Sequence, residues 1–252
     1  MTKSVPSALS LAKNAGKIFW KNPLKLIGLV AIIAVPLAIL GNIFGLGQDP
    51  QFSAYTSFLS LIMNVALIWM IVQLWQGEKP RIRDAYYRGT GSFVRFIILA
   101  VMLTLMLIPF LIGGLIYLSG ISGATLIAST GEKIALGIVW FVFALPSILL
   151  IARYFLGVYV LIAEDETPIG AFRRSGKLVK GHTLRVLVRL LILAIVAILV
   201  LSLPALAVLS GTQSLSVNIG LTGLQLISTL VVLPFANLYL YGLYRKLADE
   251  ER

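Results

Sequence analysis

Five cations have the clearest means to do chemistry in this sequence. Arg153 lies inside an apolar run at 134–163, and Arg173, Arg174, Lys177 and Lys180 crowd the polar stretch that follows. Their chemistry is anion binding. A guanidinium held away from bulk water can fork onto a phosphate or carboxylate, and a charge inside a membrane-spanning segment is costly enough that it is often functional. Two readings of Arg153 stand side by side. It captures a lipid phosphate or an anionic substrate, or it snorkels to the headgroups or caps carbonyls freed by a proline kink. The cluster likewise either recognises anionic headgroups or simply holds its connection on one side of a membrane. Other chemistry lacks material. The chain has no cysteine and a single histidine, His182, so thiolate sites, disulfides and histidine-based metal sets are excluded. No phosphate-cradling glycine loop is present either. The expectation is a protein without catalytic residues, metal or cofactor, and His182 reads as an interfacial residue.

What must position these cations is a set of membrane helices. Of the 252 residues, 59% are apolar and 12% charged, against roughly a quarter charged in ordinary soluble domains. A helix needs about 20 apolar residues to cross roughly 30 Å of hydrocarbon. Six stretches have that length, at about 26–46, 52–75, 96–118, 134–163, 186–209 and 218–243. The basic segment before the first is too long for a signal peptide, and the apolar run after it exceeds the roughly 7–15 residues of a signal core. That run is therefore read as an uncleaved span. Short polar turns at Gly47-Gln48-Asp49-Pro50 and Gly211-Thr212-Gln213-Ser214 pair the spans into three hairpins. The fold expected is an all-α polytopic membrane bundle.

The chain carries 21 Lys and Arg against 10 Asp and Glu. Nineteen of the cations fall before the first span, after the second, after the fourth and after the sixth, while the opposite connections hold only Lys133. By the positive-inside rule both termini and both long connections face the cytoplasm, in a cytoplasmic (inner) cell membrane. The same distribution explains the basic character without nucleic acid, for which no binding module is present. The partners expected are membrane lipids, anionic ones above all.

Three segments just ahead of spans one, three and five share one pattern: Leu9, Ala12, Gly16; Ile82, Ala85, Gly89; Ile169, Phe172, Gly176. These spacings fall on one helical face, and Lys and Arg fill much of the rest, so each reads as a short amphipathic helix in the headgroup layer. The third is bounded by Thr167 as N-cap, Pro168 at the first position and Gly181 as stop. The stretch Tyr154, Gly157, Tyr159, Ala163, Glu164, Asp165, Glu166 recurs as Tyr239, Gly242, Tyr244, Ala248, Asp249, Glu250, Glu251. The chain thus divides into three parallel modules of one membrane domain, at about 4–76, 79–163 and 166–247. Prolines in five of the six spans predict kinks. Asn64, Gln73 and Asn237 are expected to hydrogen-bond between helices, Gly41 and Gly45 to permit close helix approach, and the tyrosine pairs to form an interfacial belt.

The junction Ala152-Arg153-Tyr154-Phe155-Leu156, with Ala163 to Ser175 and Lys177 to His182, resembles the membrane domain attached to some bacterial glycerophosphoryl diester phosphodiesterases and its stand-alone relatives. The resemblance implies fold and membrane location. It does not imply phosphodiesterase activity, because the catalytic barrel of those proteins has no counterpart here. The functional expectation is a lipid-interacting or membrane-organising scaffold. The alternatives are a transport component, whose path would need polar groups such as Asn64, Ser147 and Arg153, or a membrane anchor for a phosphodiesterase partner.

Overall fold

The computed structural model describes residues 8–46, 49–123, 130–208 and 215–251. Lys3, Gly47, Gln48, Arg252 and the turn at 211–214 lie outside them. Among the described residues the chain is helical and contains no strand. Five helices are long and apolar enough to cross a membrane, or six if a sharply bent pair counts as one span. The chain is an all-α, multi-pass membrane protein.

It folds as two compact units. The first holds α1 (Ala8–Lys21), α2 (Pro23–Ala38), a π-helical turn (Ile39–Ile43), α3 (Pro50–Trp75), α4 (Ile82–Gly91), the later part of α10 (Thr183–Val208) and α11 (Leu215–Glu251). Local chemistry sets these boundaries. Asp49 accepts a 2.8 Å hydrogen bond from the Gln51 amide ahead of Pro50 and so caps α3, and Gly77, at φ 87°, lets the chain leave after it. Helix α3 is the interior helix, with Met63, Val65 to Ile68 and Met70 to Val72 all buried. Helix α11 packs on α1, α2 and α3, and its 37 residues would span about 55 Å, so it must project well beyond the hydrocarbon.

The second unit holds most of α5 (Phe93–Leu105), α6 (Ile108–Gly123), α7 (Thr130–Tyr154), α8 (Gly157–Ala163), α9 (Pro168–Val179) and the start of α10. Its helices α6 and α7 form a tight hairpin because glycines stand where they touch. A Cβ on Gly113 would lie 2.7 Å from that of Phe143, and one on Gly120 would lie 2.6 Å from Leu136 Cδ1. The outer face of α7 is apolar and open, with Ile138 59% and Phe141 60% exposed. In water such a face would be an aggregation hazard; in a bilayer it is the lipid contact.

Two predicted spans are built differently from the expectation, and a third carries a local turn. The span at 96–118 is two helices. Pro109 has no amide to continue the ladder, so the chain turns at Met106 and Leu107 and α6 restarts, the Phe110 amide donating to Ser147 Oγ at 3.1 Å. The span expected at 134–163 is formed as one span, Gly131–Ala163, which runs through Pro146 unbroken and carries a two-residue turn at Phe155 and Leu156, directly ahead of Gly157. The first span leaves α-helical geometry after Pro36, passing through the π-helical turn, and ends near Gly45 at φ 71°. Gly41 and Gly45 therefore do not form a continuous helical face.

Candidate anion-binding surface

The junction that carries the predicted cations is assembled in the second unit around α9. Thr167 Oγ1 accepts from the Gly170 amide at 3.1 Å, Pro168 opens the helix, and Gly181 at φ 87° follows its end, all as the sequence reading expects. Ala171, Ser175, Leu178 and Val179 form the buried seat against α7. Arg173, Lys177 and Lys180 are exposed, and Arg174 is half-buried.

Arg153 is brought to the same joint, where it binds backbone. Its Nε donates to Gly176 O at 3.4 Å, in the last turns of α9 where a cation is favoured by the helix dipole, and Ser175 Oγ donates back to Arg153 O at 3.0 Å. That carbonyl lies where α7 breaks, so Ser175 satisfies a group the interrupted ladder leaves over. The guanidinium also stands 5.6 Å from the Tyr154 ring centre, and Tyr154 stacks on Phe172 with centroids 3.9 Å apart and 4° between the planes. Gly157 permits the approach, since a Cβ there would lie 3.4 Å from Ala171 O. Because α7 breaks before α8, Arg153 and Glu164 do not share one continuous helix. Glu164 instead belongs to the first unit, where it accepts a 2.6 Å hydrogen bond from Tyr244 Oη.

The other two surface helices are seated in the same manner. Helix α4 lies on α3 through Ala85 and Gly89, and a Cβ on Gly89 would stand 3.1 Å from Ala66 Cα. The Tyr86 hydroxyl donates to Leu29 O at 2.7 Å, and burial pushes this phenol up to about 12. Helix α1 lies on α11 through Leu11, Ala15 and Phe19. The stripe Leu9, Ala12 and Gly16 is not part of this seat: Leu9 is 80% exposed, and Gly16 has open space around it. In α9 Ile169 is also exposed, while Gly176 is buried as expected. On their outward faces the helices carry cations beside exposed apolar or aromatic groups. These are Lys13, Lys17 and Lys21 with Leu9 and Trp20, Arg83 and Arg88 with Tyr87, and Arg173, Lys177 and Lys180 with Ile169. Arg88 further stands 5.9 Å from the Trp69 ring centre. Sequence reasoning passed over Trp20 and Tyr87 as members of such a surface. The signal was an aromatic residue at the edge of two of the three basic stripes.

The polar residues proposed for a transport path are spent on backbone. Asn64 donates to Ser60 O within its own helix and Ser147 caps the start of α6, while Asn237, expected to bond between helices, donates to Leu233 O. Tyr159, Tyr239 and Tyr244 are at most 6% exposed, so they are core residues, and the belt expected of them is not formed. His182 is half-buried, with Nδ1 enclosed and unbonded. Among the described residues no group of His, Asp or Glu could hold a metal ion. The first unit contains a pocket of about 380 Å³ between α2, α3 and α11, with Thr56, Ser60 and Thr229 in its wall. It also contains an apolar groove of about 280 Å³ between α1, α10 and α11.

No curated protein and no solved structure matches the chain. A family model matches residues 8–247. With nearly its whole length matched, the chain belongs to the family described as domain of unknown function DUF7847.

Proposed function

We propose that this membrane protein is a non-enzymatic scaffold that gathers anionic lipid on its surface helices, with both termini on the cytoplasmic side. One observation carries the reading: three short helices are each seated on a membrane helix by a buried stripe and turn outward a basic face edged with apolar side chains. That is the composition of an interfacial helix, whose apolar edge dips below the headgroups while its cations meet the lipid phosphates. Each such cation contributes about 1 kcal/mol near an anionic surface, or roughly a factor of five in lipid preference. Arg153 serves this surface as a positioning residue for α9.

The test is lipid retention. The protein is released from nanodiscs of equimolar phosphatidylcholine and phosphatidylglycerol, and native mass spectrometry counts the lipids that stay bound. Combined Arg173→Gln, Lys177→Gln and Lys180→Gln substitutions are expected to lower the preference for phosphatidylglycerol by about two orders of magnitude at most. An unchanged preference would remove the basis of the proposal.

The half-polar pocket beside the π-helical turn supports a second reading, a solute-binding transport component. The chain has no native cysteine, so a single Ser60→Cys substitution can report on it. Labelling by a membrane-impermeant thiol reagent supports a watered path; complete protection in an intact bilayer counts against one.

A further inference from the structure

The geometry points to one particular lipid site within the first unit: the groove between α1, α10 and α11 holds an acyl chain of an anionic phospholipid whose phosphate lies on Lys13 and Lys17. This rests on the scaffold reading and sharpens it from a surface to a place. The groove is walled by Leu9 and Ala12 of α1, Ile192 and Val196 of α10, and Phe235 and Tyr239 of α11. Its side chains are apolar but for the Tyr239 hydroxyl, so a hydrocarbon chain fits it and a polar solute does not. It stays open because α1 sits in the register found here. Seating through Leu11, Ala15 and Phe19 turns Leu9, Ala12 and Gly16 toward the groove's side, and nothing lies within 4 Å of where a Cβ on Gly16 would be.

Charge selects the occupant. Lys13 follows Ala12 directly, and Lys17 lies one turn further along α1; both are exposed, and Trp20 beyond them is 78% exposed. A chain lying between α10 and α11 would leave its headgroup against the helix that bears these lysines. A phosphate with a net negative headgroup can neutralise both cations, which a zwitterionic lipid does less well. The aromatic ring at the same edge suits the headgroup layer.

The experiment uses the full chain in the same mixed nanodiscs, with native mass spectrometry as the readout. The wild-type protein is expected to keep one phosphatidylglycerol more firmly than the rest. Ala12→Phe and Val196→Phe fill the groove from opposite walls, and each should abolish that retained lipid whatever its headgroup. Agreement between the two, with thermal unfolding and size-exclusion behaviour unchanged, separates filling from misfolding. Paired Lys13→Gln and Lys17→Gln should leave one lipid bound but erase its preference for phosphatidylglycerol. Retention that survives both Phe substitutions overturns the groove, while the overall preference for anionic lipid, set by the α9 cations, would still stand. A retained lipid lost on filling but equally often phosphatidylcholine overturns the phosphate assignment, while the scaffold reading falls only if the α9 substitutions leave the overall preference unchanged.

Discussion

The seats of α4 and α9 meet the same requirement by different physics. Each holds a short basic helix against the membrane helix that precedes it, and each relies on a glycine some 22 or 23 residues after its contact, Gly89 on Ala66 and Gly176 on Tyr154. At α4 the contact is backbone on backbone, with α3 continuous behind it. At α9 the partner position carries a tyrosine and an arginine, α7 is interrupted, and the joint is closed by a stacked ring pair and reciprocal hydrogen bonds between Arg153 and Ser175-Gly176. The helix laid close on the unbroken α3 needs only small residues. One laid on a broken helix must also supply the polar groups that the break leaves bare.

The comparison breaks most sharply at the glycines. Gly89→Val drives a branched side chain into the backbone of a buried helix that has nowhere to move, and should cost about 3 kcal/mol in thermal unfolding. Gly176→Ala meets the edge of the Tyr154 ring, at 2.8 Å, and gains some helix propensity, so its net cost should be about 1 kcal/mol. That cost should vanish in a Tyr154→Ala background, whereas no side-chain truncation in α3 should rescue Gly89→Val. Equal costs, or rescue of neither, would mean the two seats do not differ in kind. Between these lies Ser175→Ala. It strips the Arg153 carbonyl of its donor in a buried joint and should cost about 2 kcal/mol, more than Arg153→Met, whose lost bond is long. If Arg153→Met proved the costlier change, the arginine rather than the serine would be closing the break.

What could be read from the chain, and what could not, divides along a physical line. Thr167, Pro168 and Gly181 bound α9 as expected because capping is decided by neighbours a few residues away. The six apolar stretches likewise declare themselves by length. Register did not. In α1 both Leu11-Ala15-Phe19 and Leu9-Ala12-Gly16 are helical apolar stripes, and one faces protein while the other faces the groove and lipid. Periodicity measures distance from water, and in a membrane the lipid side and the protein side are equally dry. The same blindness made the tyrosines look interfacial, when Tyr244 is buried with its hydroxyl on Glu164. The turn at Phe155 and Leu156 holds no proline, and only Gly157 directly after it marks the place in the sequence.

The smallest difference between the seats lies at Tyr86, which ties α4 to α2 by one hydrogen bond to Leu29 O. Tyr86→Phe keeps the ring and should cost about 1 kcal/mol at neutral pH. The pH dependence makes the measurement specific. The folded phenol ionises near 12 rather than 10 because burial disfavours the phenolate. Below pH 10 the phenol is protonated in folded and unfolded chains alike, and the contribution is whole. Above pH 10 the unfolded chain gains by ionising while the folded one does not, so the contribution declines as the pH climbs to about 12. The stability gap between the wild-type protein and Tyr86→Phe should therefore stay constant up to pH 10 and narrow from there to pH 12. The serine hydroxyl does not ionise over that range, so Ser175→Ala should show no matching change. A Tyr86 gap that held steady through pH 12 would mean that the hydroxyl is not held as the geometry describes, leaving α4 to its glycine contact alone.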